Sequence, residues 1–290
     1  MFREAYAIAR EFTRPIVMSR LSQAGDCSCA IGSFVHVNRD GWIVTAAHIL
    51  KHVDELVSGD HAARAHEASV AAIDGDVSLG SKERYDRKRA LGKLDKNATK
   101  RGSIWWGRDG IVTTQIVFNE TVDIGVAKLA NFDPGSISRY PKFKNPSDNP
   151  EPGASLCKLG FPFHEINPTY DQSTDVFRLP PGAVPLPLFP MDGIFTRVIE
   201  FQPTNPPPYP LRLIETSSPG LKGQSGGPTF DQNGVIWAIQ CRTGHLPLGF
   251  NPVAPGAKTP EHQFLNVGLG VHTATLFGLF DQNGIKYDVA

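Results

Sequence analysis

The sequence predicts an all-β protein built as two barrels, with a short helix at each end. Three observations lead there. Short β-prone runs recur along the chain, turn-forming Gly, Pro, Asn and Asp separate them, and a stretch with few regular apolar positions divides the chain near its middle. Closing a sheet on itself removes its exposed edges, so many short strands favour barrels over open sheets. The 290 residues, 40% of them apolar, suffice for two such units sharing a core.

The elements follow in order. In residues 1–14, Phe2, Tyr6, Ala9 and Phe12 recur at helical spacing and Pro15 ends the pattern, which predicts a short amphipathic helix docked on the body. The first barrel spans 15–130. Ile16-Val17-Met18 is its first strand signal, and a run from Ile31 to Val37 is the next. Asn38-Arg39-Asp40-Gly41 predicts a hairpin turn, because Asp-Gly suits positive φ. Trp42-Ile43-Val44-Thr45 returns as a strand, with His48 just past its end. Residues 51–80 show no decisive pattern. Residues 82–101 hold nine Lys or Arg against three Asp or Glu. An exposed, partly helical insertion over about 60–101 accounts for this: a solvated surface is the plain reading, a docking face for an acidic partner the sharper one. Runs at 111–118 and 122–129 complete the first barrel.

Residues 131–154 are rich in Pro, Asn, Asp and Ser and read as a linker. The second barrel, 155–272, takes strands near 156–159, 193–201, 211–216, 229–230, 235–240 and 264–270. Asp231-Gln232-Asn233-Gly234 turns between two of them. Twelve prolines from Pro162 to Pro210 exclude a long helix there and predict decorating loops. In the final segment, 273–290, Leu276, Phe277 and Phe280 mark a helical face.

Composition narrows the function classes. Twenty-nine basic residues balance twenty-nine acidic ones, so no global field steers the chain to nucleic acid or anionic membrane. No basic stretch interleaves with aromatics, and no run of eighteen apolar residues suggests a membrane span. Charges interrupt the N-terminal residues every few positions, unlike a signal-peptide core, which predicts a cytoplasmic protein. Cys27, Cys29, Cys157 and Cys241 read as free thiols in a reducing compartment, with a Cys157–Cys241 bridge as the alternative. No metal-binding pattern and no cofactor motif is present, so none is expected.

Three short motifs carry chemistry. Acyl transfer by a serine hydroxyl needs a base with a pKa near neutrality, a carboxylate that fixes the base's tautomer, and donors for the developing oxyanion. Lys222-Gly223-Gln224-Ser225-Gly226-Gly227-Pro228 sets three glycines about one serine. Such a turn can aim the Gly223 and Ser225 N–H groups at one oxygen and keeps side chains off the hydroxyl. A Gly-rich hairpin loop with an incidental serine is the rival account. Ile43-Val44-Thr45-Ala46-Ala47-His48 delivers a histidine at a strand end with room beside the ring; a core histidine satisfied by one backbone bond is the rival there. Asp123, in Thr121-Val122-Asp123-Ile124-Gly125, is an acid entering an apolar strand, costly unless paired; an ordinary strand-edge aspartate is the alternative.

Together, in the order His, Asp, Ser, these motifs resemble the trypsin and chymotrypsin superfamily, in particular its bacterial trypsin-like peptidases. The resemblance covers about residues 15–280. It implies a chymotrypsin-like double six-stranded β-barrel and a serine endopeptidase working through an acyl-enzyme. His48 would be general base and acid, Asp123 the orienting carboxylate, Ser225 the nucleophile, and the N–H groups of Gly223 and Ser225 the oxyanion hole. Gly160-Phe161-Pro162 resembles the family's glycine-aromatic turn, and Leu269-Gly270-Val271-His272-Thr273 the strand end beside its specificity pocket.

The chain also departs from the family. His48 and Asp123 lie 75 positions apart, further than in compact members. Gln224 stands where digestive members carry the aspartate that pairs with a newly cut N-terminus, and no Ile-Val-Gly-Gly-like start is present. That predicts an oxyanion loop held without a zymogen cleavage, by hydrogen bonds from Gln224. By the same resemblance the specificity pocket would lie near Pro219, Gln240, Arg242 and Gly270. Without an aspartate about six residues before Ser225, tryptic specificity is not expected. Gly270 and Pro219 suggest a roomy apolar pocket, whereas Arg242 turned inward would admit an acidic residue. Expected partners are a peptide or protein substrate and, to restrain wasteful cleavage, a regulatory protein; neither nucleic acid nor membrane is expected. The alternative function is a catalytically silent protease fold used as a binding module.

Overall fold

The computed structural model describes residues 2–148, 151–250, 253, 256 and 263–290. Asn149 and Pro150 of the predicted linker, and Met1 of the N-terminal unit, lie outside the described residues. Helix α1 (Arg3–Phe12) buries Ala5, Ala9 and Phe12 and feeds directly into β1 (Thr13–Ser22). Then come β2 (Cys27–His36), β3 (Trp42–Thr45), α2 (Ala47–Gly75), α3 (Ser81–Leu91), β4 (Thr99–Trp105), β5 (Val112–Asn119) and β6 (Ile124–Ala130). The strands form one sheet in the order β4-β1-β2-β3-β6-β5. Pro15 fits inside β1 because β4 ends opposite Val17, so no strand on that side needs its missing N–H.

The first sheet has the expected six strands, but β4 and β5 are its edges and do not pair with each other among the described residues. It is an open sheet where a closed barrel was expected. Helix α2 accounts for the difference. It packs on β4, β5 and β6 and buries Ile49, Leu50, Val53 and Leu56 in a cluster with Ile16, Phe34, Ile43 and Trp106. Each such aliphatic side chain contributes about 1.5–3 kcal/mol on burial. The helix covers apolar surface that closure of the barrel would otherwise cover.

This 29-residue helix is the main departure from the sequence reading, which found no pattern in residues 51–80. Past Leu56 only Ala63 is buried, so the distal helix has no apolar stripe to display. It is tied to the body instead by ion pairs from Arg64 to Asp175 (2.8 Å) and from Glu67 to Arg101 (2.6 Å). The charged stretch contains α3, with no buried residue, but enters the sheet as β4 at Thr99, two residues before the expected end of the insertion.

The second half holds β7 (Lys142–Phe143), β8 (Ser155–Gly160), the hairpin β9 (Thr169–Asp171) and β10 (Val176–Arg178), β11 (Phe189–Phe201), β12 (Leu211–Thr216), β13 (Pro228–Phe230), β14 (Ile236–Pro247), β15 (Phe264–His272), α4 (Thr273–Gln282) and β16 (Asp288–Val289). Six of these pair in the order β13-β8-β11-β12-β15-β14, and β14 pairs back to β13, completing a ring; β7 and β16 extend from β14. The described residues are thus mostly β, with two large sheets, the small β9–β10 hairpin and few helices. One core joins the halves: Phe12 of α1, Val35 and Val126 of the first sheet, Leu159, Leu213 and Ile239 of the second, and Leu276 and Phe280 of α4.

Candidate active site

Register brings His48 and Asp123 together. Thr45, the last residue of β3, pairs with Gly125 at the start of β6. The chain leaving β3 and the chain entering β6 therefore lie side by side. His48 stands in the first turn of α2, and Asp123 in the turn before β6. Asp123 adopts φ 59°, a left-handed conformation that a short polar side chain tolerates. Its carboxylate accepts the His48 backbone N–H at 2.9 Å and faces the ring Nδ1 at 3.0 Å and 2.9 Å from its two oxygens. That contact puts the proton on Nδ1 and leaves the Nε2 lone pair outward. The ring side chain is 53% exposed and the carboxylate 14%, so the pair is open on the histidine side only.

Ser225 lies between β12 and β13, in a loop stitched to both halves. Its carbonyl accepts the Ser33 N–H (2.9 Å), and the Gly226 N–H donates to the Gln240 carbonyl (2.7 Å). Ser33, on β2, also donates its hydroxyl to the Gly223 carbonyl (2.7 Å), and Thr45 Oγ1 donates to the Ser33 carbonyl (2.7 Å). A side chain on Gly226, at φ 85°, would collide with that carbonyl and with Thr45. Ser33 thus fastens the serine loop to the sheet that carries His48, a role no motif in the sequence announced.

The residues before Ser225 form a turn. The Gln224 N–H donates to the Leu221 carbonyl (2.9 Å) and Gly223 has φ 95°, the positive φ that a type II turn requires at its third residue. Gln224 is fully buried; its Oε1 accepts the Leu221 N–H at 3.0 Å. Both hydrogen-bonding ends of the turn are therefore closed by one residue. Among the described residues, the N–H groups of Gly223 and Ser225 have no protein acceptor.

Ser225 Oγ donates to the Cys241 carbonyl at 3.4 Å, a long contact for a hydroxyl. No hydrogen bond joins it to His48 among the described residues, although both line one cavity of about 420 Å³. Cys241 is buried behind the pair, and burial, reinforced by the charge of Asp123, pushes its thiol up to about 12. All four cysteines are unbonded. Lys158, on β8, is buried, and its ammonium donates to Ser218 Oγ and to the Pro219 carbonyl, both at 2.9 Å, and to the Ser218 carbonyl. Burial pushes its pKa down to about 7. Nothing about an isolated lysine in an apolar strand signalled this role.

Of the four residues expected to line a pocket, Gln240 is the hub: it is the cross-strand partner of Gly270 and lies beside Arg242 and the Pro219–Gly220 segment. Pro219 offers its carbonyl to Lys158. Gln240 Nε2 donates to the Arg242 carbonyl (2.8 Å), and its amide sits against Gly220. Arg242 reaches the Thr121 carbonyl (3.3 Å), away from Gly220. Gly270 lies within the sheet between Ile214 and Gln240, and a Cβ there would crowd Ala238. The space beside Gly220 is occupied by the Gln240 amide. Among the described residues no group of three or more His, Cys, Asp or Glu could hold a metal ion, and no helix is long and apolar enough to cross a membrane.

No protein-family model and no curated protein matches the sequence. The chain is similar to the active form of the Rv3671c protease from M. tuberculosis, at 12% identity and a TM-score of 0.48 over 99% of this chain and 86% of that one. It is also similar to the HtrA-type protease AlgW with tripeptide, at 13% identity and a TM-score of 0.48 over 98% of this chain and 65% of that one.

Proposed function

We propose that the chain is a serine endopeptidase of the trypsin-like type, with Ser225 as nucleophile, His48 as general base and acid, and Asp123 as orienting carboxylate. The observation that carries this reading is the two-point grip of Asp123 on His48, beside a cavity that Ser225 shares. With Nδ1–H held by the carboxylate, Nε2 is the basic nitrogen. A rotation of the Ser225 side chain between staggered positions releases the long contact to Cys241 and aims the hydroxyl at Nε2. Such alignment commonly tightens only when substrate binds.

The hydroxyl oxygen then attacks the peptide carbonyl carbon as its proton passes to His48 Nε2. The carbonyl oxygen gains negative charge facing the N–H groups of Gly223 and Ser225, which carry no competing acceptor. The carbon–nitrogen bond breaks as His48 returns the proton to the amine. Water repeats the sequence: it loses a proton to His48, attacks the ester carbon, and frees the acid and the Ser225 hydroxyl. Asp123 stabilises the transient imidazolium and stays ionised throughout. A peptide or protein is the substrate, and four unbonded thiols support work in a reducing compartment.

The second reading, a silent binding module, is favoured by one observation: the Ser225 hydroxyl rests on Cys241 rather than His48. A fluorophosphonate probe separates the two. Adduct on Ser225, lost in Ser225→Ala and strongly slowed in His48→Ala, supports the enzyme. A wild-type protein that stays unlabelled supports the module.

A further inference from the structure

The two sides of Ser225 offer unequal room. On one side the segment before the nucleophile and the strand after it are sewn together: the Gly220 N–H donates to Thr243 Oγ1 (3.0 Å), and Thr243 Oγ1 donates to the Gly220 carbonyl (2.6 Å). The Gln240 amide fills the space above Gly220. On the other side lies the 420 Å³ cavity, which Met18, Ala30, Ile31 and Ile49 line together with His48 and Ser225. It continues into a cavity of about 760 Å³ that shares Ala30, Ile31 and Gly223. The far wall carries Phe163, 74% exposed at φ 64°, a conformation rare for a bulky side chain and often kept for a functional surface.

The chemistry says which part of a peptide goes where. Once the acyl carbon is bonded to Ser225 and its oxygen faces the N–H groups of Gly223 and Ser225, its two remaining directions are the acyl chain and the departing nitrogen. His48 must reach that nitrogen to protonate it, so the departing segment lies in the cavity walled by His48. The acyl side chain is left with the stitched side.

We propose that this chain selects its substrate on the leaving-group side: the groove over Ala30 and Ile31 takes a large apolar residue directly after the scissile bond, and the side closed by Thr243 admits only a small residue before it. The inference rests on the serine endopeptidase reading. An apolar floor contributes differences of about 10–200-fold between side chains differing in size, which sets the expected scale.

The test uses the intact chain: a fluorophosphonate on one portion establishes a reactive Ser225, and the untreated portion is kept for turnover. Quenched peptides then vary the residue before the bond or the one after it. Expected are kcat/KM values at least tenfold higher for Leu or Phe than for Gly after the bond, and at least tenfold lower for Phe or Arg than for Ala before it. Ala30→Trp, which fills the groove, should raise KM for the peptide with Leu after the bond about tenfold more than KM for the peptide with Gly there. Thr243→Gly should relax the preference before the bond and keep the one after it. An enzyme that labels yet is indifferent after the bond, or prefers large residues before it, overturns the inference and leaves the peptidase reading intact. Failure to label overturns both.

Discussion

Replacing Lys158 with Met should change how stability depends on pH, in a direction the geometry sets. The ammonium is buried and its neighbours are three neutral oxygens, two from Ser218 and one from Pro219. Burial pushes its pKa down to about 7, against ~10.4 in an unfolded chain. Between those values the unfolded chain binds a proton that the folded chain does not, so stability rises with pH by about 1.4 kcal/mol per unit. Below pH 7 both states are protonated and the folded state bears the full cost of the buried charge. The whole window integrates to on the order of 4–5 kcal/mol. Urea unfolding of wild type and Lys158→Met from pH 6 to 10 isolates this group, because the other lysines and tyrosines cancel in the difference. The wild type should gain about 4 kcal/mol on the variant between pH 7 and 10, and nothing well below 7. Parallel curves would refute the burial argument; a wild type losing ground as pH rises would mean that the three hydrogen bonds to the ammonium outweigh desolvation.

Other expectations follow from the site. Asp123→Asn should fold yet lose up to ~10⁴-fold in kcat/KM, since an amide no longer holds the Nδ1–H tautomer; a variant within tenfold of wild type on a cleavable peptide would contradict the role given to Asp123. Gly226→Ala should cost about 2–5 kcal/mol in urea unfolding, because φ 85° is strained for alanine and its Cβ meets Ser33 and Thr45; unchanged stability would show that the serine loop is not clamped to β2. Replacing residues 78–95 by a short Gly-Ser linker should leave small-peptide turnover within about threefold, since α3 buries nothing and loop closure depends weakly on length. Loss of turnover by a folded deletion would give the charged segment a part in the chemistry.

The sequence displayed the site better than the architecture around it. His48, Asp123 and Ser225 announce themselves through local strings, because a strand end, a costly acid and a glycine-flanked serine each leave a mark within a few residues. β12 was legible to the residue, since Leu211–Thr216 is bounded by proline and by a Ser-Ser-Pro-Gly turn. Helix α2 left a mark only at its start: Ile49, Leu50, Val53 and Leu56 have helical spacing, but past Leu56 the apolar residues are mostly alanines that form no stripe, and the segment is held by ion pairs to Asp175 and Arg101. The open first sheet could not be read because closure depends on which element covers β4 and β5. Ser33, Lys158 and Thr243 were illegible for a similar reason: each acts through contacts with residues remote in sequence. Gln224 was the exception, a role inferred from the missing aspartate, and its amide does close the 221–224 turn.

The central claim is that Ser225 forms a covalent acyl intermediate. Pre-steady-state kinetics with an activated ester tests it most directly: rapid mixing should release a burst of leaving group equal to the enzyme concentration, followed by slower turnover, with the acyl mass mapped to the peptide containing Ser225. Ser225→Ala should show neither burst nor adduct. A variant that turns over at the wild-type rate, or a wild-type burst whose adduct maps elsewhere, would contradict the account.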